Sequence, residues 1–136
     1  MTKKELLYAK DLPIYSAQRK MTQACIKIMI HCQRDLKHTL GQELVKLAYQ
    51  QKILIGKAKR ENYKANLLEE FLDNHKLIEE TIKDLVELQA VEEKLYIEAM
   101  PLIANIERQA GGCFKASQAE NRQPESGQKP ESAFTN

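Results

Sequence analysis

The sequence has few of the residues that interrupt helices. Its 136 residues include five glycines, four prolines and no tryptophan. The remainder is rich in Leu, Ile, Ala, Glu, Lys and Gln, most of which lose little rotamer freedom in a helix. The composition therefore predicts an all-α protein, and the length fits one domain with a hydrophobic core of its own.

Long apolar runs are also missing. No stretch of about 18 apolar residues occurs, so we expect no membrane-spanning helix. The charged segment 1–10 lacks the apolar centre of a secretory signal. We therefore expect a cytoplasmic protein without membrane contact.

Motifs for catalysis and metal binding are absent. Cys25, Cys32 and Cys113 are odd in number and lack CxxC spacing, so we expect free, packed thiols. His31, His38 and Cys32 lie near a predicted link, but no fourth ligand has a suitable spacing for a metal. Repeated Glu-x-x-His pairs, a Gly-rich phosphate loop and a nucleophile motif are missing. These absences predict a non-enzymatic protein with no cofactor and no metal site.

Apolar residues recur every three or four positions in four segments, the spacing of one helix face. The first helix is expected from Leu12 to Cys32, with Asp11 as its N-cap and Pro13 in its first turn. The inward residues of this helix are Ile14, Ala17, Met21, Cys25, Ile28 and Cys32.

The second helix has a predicted start at Thr39. Residues 39–42 fit a capping box in which Thr39 is the N-cap and Gln42 reaches back to it. The polar segment 33–38 is expected to be the link, and the helix is expected to fade at 59–62. Its apolar stripe is Leu44, Leu47, Ala48, Gln51, Leu54, Ile55 and Ala58, with Gln51 the one polar member.

The third helix is the most periodic, from about Tyr63 to Leu88, with a tight turn expected at Gln89-Ala90. His75 falls on its apolar face, where a buried and hydrogen-bonded histidine is expected. The other members of that face are Leu67, Leu68, Phe71, Leu72, Ile78, Ile82, Leu85 and Val86.

The fourth helix is expected from Val91 to Ala116. Pro101 predicts a kink or a restart, because proline removes one backbone hydrogen bond and clashes with the preceding turn. Gly111 and Gly112 would allow another backbone to approach. The inward residues are Leu95, Ala99, Leu102, Ile106, Ala110, Cys113 and Phe114.

Four amphipathic segments with short links predict an up-down-up-down four-helix bundle over residues 11–116. Residues 1–10 precede it as an N-terminal extension. Residues 117–136 are polar and contain two Pro-Glu-Ser triplets, so we expect a disordered tail.

Charge divides the chain into two unlike parts. Residues 13–60 hold ten Lys and Arg against two acids, and residues 61–110 hold five against twelve. A clustered basic set predicts contact with nucleic-acid phosphates or an acidic partner surface. The alternative is a solvated face, or pairing with the acidic third helix within or between subunits. The basic set is Arg19, Lys20, Lys27, Arg34, Lys37, Lys46, Lys52, Lys57, Lys59 and Arg60.

Aromatic residues are sparse near this basic set. Tyr15, Tyr49 and Tyr63 are the ones close to it in sequence. Stacking of single-stranded bases on aromatic rings is therefore not expected to dominate binding.

Three motifs, in order, resemble a known family over about residues 10–116. Leu12-Pro13-Ile14-Tyr15 resembles its start, and Lys37-His38-Thr39-Leu40-Gly41 its entry into the second helix. Ile106-Glu107-Arg108, followed by Gly111-Gly112-Cys113-Phe114-Lys115, resembles its end. This four-helix-bundle family includes the accessory protein of diversity-generating retroelements, Avd, and proteins encoded within intervening sequences of large-subunit ribosomal RNA genes.

The resemblance to Avd implies a function as well as a fold. It implies a homopentameric ring of bundles in a bacterial retroelement. The ring would bind the reverse transcriptase and, through a basic surface, the template RNA or its RNA/DNA hybrid, in support of mutagenic cDNA synthesis.

Two other functions stay open at this point. One is that of a ribosomal RNA intervening-sequence protein of the same fold. The other is a structural or adaptor bundle without nucleic-acid contact. A neighbouring reverse transcriptase gene with a template/variable repeat pair would favour Avd, whereas a location inside a ribosomal RNA gene would favour the first alternative.

Overall fold

A computed structural model describes the backbone of residues 13–122 and the side chains of residues 13–118. Within that range the chain has no strand, so the predicted all-α class is confirmed. Each long helix packs against the next one in sequence, and the last packs against the first, which makes a helical bundle. The long helices are α1 (Pro13–Ile30), α2 (Gln42–Arg60), α3 (Ala65–Glu87) and α4 (Glu93–Arg122).

The core follows the predicted stripes closely. All six inward residues predicted for the first helix are buried, Met21 and Cys25 completely. Leu72 was wrongly placed in the core and is 39% exposed, because it is rotated by about 100° from its buried neighbour Phe71. Ile103 on α4 is buried although the predicted stripe omitted it.

The link between α1 and α2 is shorter than predicted. A single helical turn (Arg34–Leu36) and a π-helical segment (Lys37–Gly41) lead directly into α2. Thr39 Oγ1 donates a hydrogen bond to the Leu36 carbonyl at 3.2 Å, and Gln42 Nε2 lies 3.2 Å from His38 Nδ1. The predicted capping box is therefore wrong, because Thr39 lies inside a continuing helix and not at its start.

Close packing at Gly41 gives a physical reason for this irregular start. Gly41 is buried, and a Cβ atom there would lie 3.2 Å from Met29 Cγ. The π-helical turn is wider than an α-helical one. It brings a residue without a side chain against α1, which is a tertiary contact that local capping rules do not include.

The link between α2 and α3 is fixed by α4. Asn62 and Tyr63 both have positive φ, 58° and 53°, and the Tyr63 N–H donates to the Ala58 carbonyl at 2.7 Å. Ser117 Oγ donates to the Asn62 carbonyl at 2.7 Å, and the rings of Tyr63 and Phe114 meet edge to face at 5.2 Å. These contacts hold two consecutive left-handed residues, an arrangement that is uncommon outside glycine.

The last helix extends further than predicted. It continues past Ala116 to Arg122, and Ser117, the expected first residue of the tail, is buried within it. The predicted cap at Asp11, the extension 1–10 and residues 123–136 of the predicted tail lie outside the described residues.

α4 runs through Pro101 without a restart. Pro101 is exposed, and Ile97, whose carbonyl loses its usual helical partner, is 60% exposed on the same face. Water can therefore hydrogen-bond to that carbonyl, which lowers the cost of an internal proline.

A chain of polar side chains crosses the core. Gln18 Nε2 donates to the Ala48 carbonyl at 3.0 Å and to Thr22 Oγ1 at 3.1 Å. Gln51 Nε2 donates to Gln18 Oε1 at 3.0 Å, and Gln51 Oε1 lies 3.3 Å from His75 Nδ1. His75 Nε2 lies 3.0 Å from the carbonyl of Ile103. The chain therefore joins α1, α2, α3 and α4 in sequence.

Acid should weaken the fold through His75. Burial, the largest effect on this residue, lowers the pKa of His75 from its ordinary 6.5, against smaller raising effects of the Ile103 carbonyl and Glu107. The unfolded chain then binds more protons than the folded one below about pH 6.5, so stability is lost as the pH falls through that value. Urea unfolding between pH 7.5 and 5.5 should show this loss, and a His75→Gln variant should have a flatter profile. Equal slopes would contradict it.

Replacement by alanine should be less favourable to stability at Gly41 than at Gly111 and Gly112. Gly111 and Gly112 are exposed inside α4 with no other atom of the described residues within 4 Å of an added Cβ, whereas Gly41 is tightly packed. Gly111→Ala and Gly112→Ala should each stabilise the helix by about 0.5–1 kcal/mol. Gly41→Ala should gain less or lose stability. Thermal unfolding measures all three, and a loss of stability at Gly111 or Gly112 would show that another backbone packs there.

Candidate nucleic-acid interface

The predicted basic set is spread along the whole length of α1 and α2. Arg34 and Lys37 precede α2, whereas Lys57, Lys59 and Arg60 lie in its last turn, about 28 Å away for a 19-residue helix. Arg19, Lys37 and Lys57 are partly buried. The exposed members are Lys20, Lys27, Arg34, Lys46, Lys52, Lys59 and Arg60.

One member of the basic set reaches from α2 to a tyrosine of α1. The Lys59 ammonium lies 5.7 Å from the centre of the Tyr15 ring on α1, and Lys52 lies 5.8 Å from that of Tyr49 on its own helix. Such cation–π contacts hold the lysine stems on the surface and leave the charge in solvent. They also occupy two of the three nearby tyrosine rings, which supports charge over base stacking as the mode of binding.

Lys27 is set apart from the other basic residues. Its ammonium lies 3.3 Å from Glu98 on α4, so it belongs to the boundary with the acidic half. Both side chains are about half exposed, and an exposed pair of this kind contributes little to stability. Lys27 is therefore the member of the set least suited to bind phosphate.

The acids of α3 pair along their own helix. Glu80 contacts Lys76 at 3.6 Å, and Glu79 contacts Lys83 at 3.3 Å, each one turn apart. The hydrogen bond from Lys83 to Glu79, followed by their charge attraction, raises the pKa of Lys83. These contacts use lysines of the acidic half and not those of the basic set, so they leave the charge asymmetry of the two halves in place.

This geometry fits an extended polyanion better than a small anion. The cations line about 28 Å of helix and converge on no single point. At 3.4 Å per nucleotide of one strand, that length corresponds to about eight nucleotides of a duplex. Separate lysines spread over this distance act as point charges, which favours binding with little sequence preference.

The sequence reasoning missed an apolar groove between α2 and α3. Its floor includes Leu47 and Leu54, and its rim includes Ile53 and Leu77, which are 66% and 51% exposed. Glu70, Asp73 and Asn74 also line it. The available signal was that Ile53 and Leu77 are large apolar residues off the predicted stripes.

Metal ligands do not come together in the part of the chain that the structure describes, where no group of three His, Cys, Asp or Glu residues is placed to hold an ion. Cys25, Cys32 and Cys113 are free thiols there. Burial raises the pKa of Cys25 to about 12, so this thiol is protonated and unreactive. Among residues 13–122, no helix is long and apolar enough to cross a membrane.

Comparison with known proteins assigns no relative. No family model, no curated protein and no solved structure matches the chain. The class that the structure defines is a helical bundle with one basic and one acidic half.

Proposed function

We propose that the protein is an Avd-like accessory protein of a diversity-generating retroelement. In this role it binds the reverse transcriptase and, through the basic surface of α1 and α2, the template RNA or its RNA/DNA hybrid. The observation that carries the proposal is the exposure of seven of the ten predicted cations along α1, α2 and the link between them. The resemblance of the three sequence motifs to the Avd family is the reason for proposing a role in a retroelement.

Release of counterions would drive the binding of RNA. Each lysine or arginine that neutralises a phosphate frees a condensed cation, so affinity falls steeply with salt. The acidic half repels the same polyanion, which directs the RNA to α1 and α2. That acidic half is then available to a basic surface on the polymerase, and one subunit contacts both partners.

We propose an up-down-up-down topology and a homopentameric ring for this bundle. The Gln33 N–H donates to the Ala90 carbonyl at 2.8 Å, which supports placing the first and third links at one end. The contact of Ser117 with Asn62 supports placing the second link and the C-terminal part of the last helix at the other end. Opposite charge on the two halves supports head-to-tail contact between subunits in a closed ring.

The groove between α2 and α3 favours a second candidate function. Exposed Ile53 and Leu77 beside a partly apolar cleft are typical of protein contact surfaces. A structural or adaptor bundle would use such a surface and would need no nucleic acid. The RNA-binding experiment below separates the two functions.

Neutralising four cations of the basic surface should weaken RNA binding without unfolding the protein. The variant changes Lys20, Lys46, Lys52 and Arg60 to Gln; all four are exposed, and exposed charges contribute little to stability. Its affinity for a single-stranded RNA should fall at least about tenfold at low salt. The slope of log affinity against log salt should decrease in size by up to about 3, at about 0.7 per lost phosphate contact.

The matched control removes an equal number of positive charges, four, from the acidic half. Lys64, Lys76, Lys94 and Arg108 are also exposed, so their change to Gln lowers the net charge equally. This control should keep wild-type affinity and salt dependence. Equal losses in both variants would show a non-specific charge effect, and wild-type protein that fails to bind RNA at low salt would favour the adaptor.

Light scattering tests the proposed assembly. A pentamer of a 15.6 kDa chain should give a mass of about 78 kDa, five times that of the monomer. Moderate salt should favour dissociation if opposite charges hold the subunits together. A monomer at micromolar concentration in low salt would overturn the ring.

A further inference from the structure

The polar chain in the core ends on a backbone carbonyl at both sides. Gln18 Nε2 donates to the Ala48 carbonyl at 3.0 Å, and His75 Nε2 lies 3.0 Å from the Ile103 carbonyl. Carbonyl oxygens only accept hydrogen bonds. The side chains between them, those of Gln18, Gln51 and His75, must therefore present a donor at each end.

When all its side chains are neutral, this chain has one hydrogen-bond donor fewer than its contacts require. Each glutamine amide contributes one donating and one accepting end. Because Gln18 donates to the carbonyl, it presents Oε1 to Gln51, and Gln51 in turn presents Oε1 to His75 Nδ1 at 3.3 Å. Both ring nitrogens of His75 then face acceptors, and only the charged imidazolium has two N–H groups.

Rotating the amides changes where the donor is missing but does not supply it. If Gln51 turns over, its amide donates to His75 Nδ1, but two oxygens then face each other between Gln51 and Gln18. If Gln18 turns over as well, its oxygen faces the Ala48 carbonyl. The Thr22 hydroxyl both donates and accepts, so it fits either orientation of Gln18 and does not decide between them.

We propose that this chain is a proton-linked device, in which uptake of one proton by His75 supplies the missing donor and completes hydrogen bonding across all four helices. The proposal is independent of RNA binding. It makes the packing of the bundle sensitive to mild acid at one buried position.

Two opposed effects set the pH at which the proton is taken up. His75 is 3% exposed and stacks on Phe71, so burial disfavours the charge. The two acceptors already described favour the charge. So do two carboxylates, that of Glu107 on α4, which lies 3.9 Å from Nε2, and that of Glu79 on α3 itself. α1 and α2 present neutral groups, those of Gln18, Thr22 and Gln51.

Burial wins near neutrality, because it lowers the pKa of His75 below 6.5. The ring is then neutral, and its single proton should lie on Nε2. That contact is the shorter of the two, and the Ile103 carbonyl cannot become a donor, whereas Gln51 can turn its amide toward Nδ1.

Long-range ¹H–¹⁵N spectra of the full chain test the proton count. The His75 signals are identified by their loss in His75→Gln, since the only other histidines are the exposed His31 and His38. The neutral ring should carry its proton on Nε2, and acidification should add a second on Nδ1 while the helical spectrum persists. Unfolding before any second ring proton appears would overturn the proposal.

Replacing one acceptor tests the linkage directly. Gln51→Met keeps the length of the side chain and removes the acceptor facing Nδ1, so the protonated ring loses a partner. The His75 pKa should fall by about one unit, a tenfold loss of proton affinity. Gln50→Met is the matched control, the same change at the exposed neighbouring position, and should leave it unchanged.

An unchanged His75 pKa in Gln51→Met would contradict the proposal, as would an equal fall in Gln50→Met. Should Gln51→Met fail to fold, the uptake of a second ring proton by the folded wild-type protein still decides.

Discussion

The arrangement of the bundle depends on a buried chain of hydrogen bonds and not on apolar contact alone. Apolar stripes tolerate sliding and rotation, because Leu and Ile pack acceptably in several registers. The chain from Gln18 through Gln51 to His75 does not, since each misplaced donor would be left unsatisfied in the core. It therefore fixes the rotation of α1, α2 and α3 and their height against the Ile103 carbonyl of α4. Such polar specificity costs stability, because amides and imidazole must be desolvated.

That fixed register determines where the charges lie. With the apolar and polar core residues facing inward, seven of the ten cations of the basic set are left exposed. Lys59 of α2 lies over the Tyr15 ring of α1, so the two helices are close beside this lysine. Lys27 with Glu98 marks where the two halves meet. For the proposed RNA partner, the affinity of such a surface would depend on salt more than on nucleotide sequence.

Helix identity and the core could be read from the sequence where periodicity was strong. The stripe from Ile14 to Ile28 gave buried residues, and so did most of the face from Leu67 to Leu85, because the 3.6-residue repeat leaves few other ways to bury them. Local rules failed where a distant contact decided the backbone. Thr39 and Gln42 have the residues of a capping box, but the packing of Gly41 against Met29 continues the helix through them.

The sequence alone determined the all-α class, four amphipathic segments and the division of charge, because each follows from residue type and spacing along one chain. The tertiary structure decided everything that needed two segments at once. Ser117 belongs to α4 because its hydroxyl meets Asn62, which lies 55 positions earlier in the chain. His75 looked like a satisfied buried histidine in the sequence. Only the positions of Gln51 and Ile103 showed that both its nitrogens face acceptors, since a count of donors requires the partners in space.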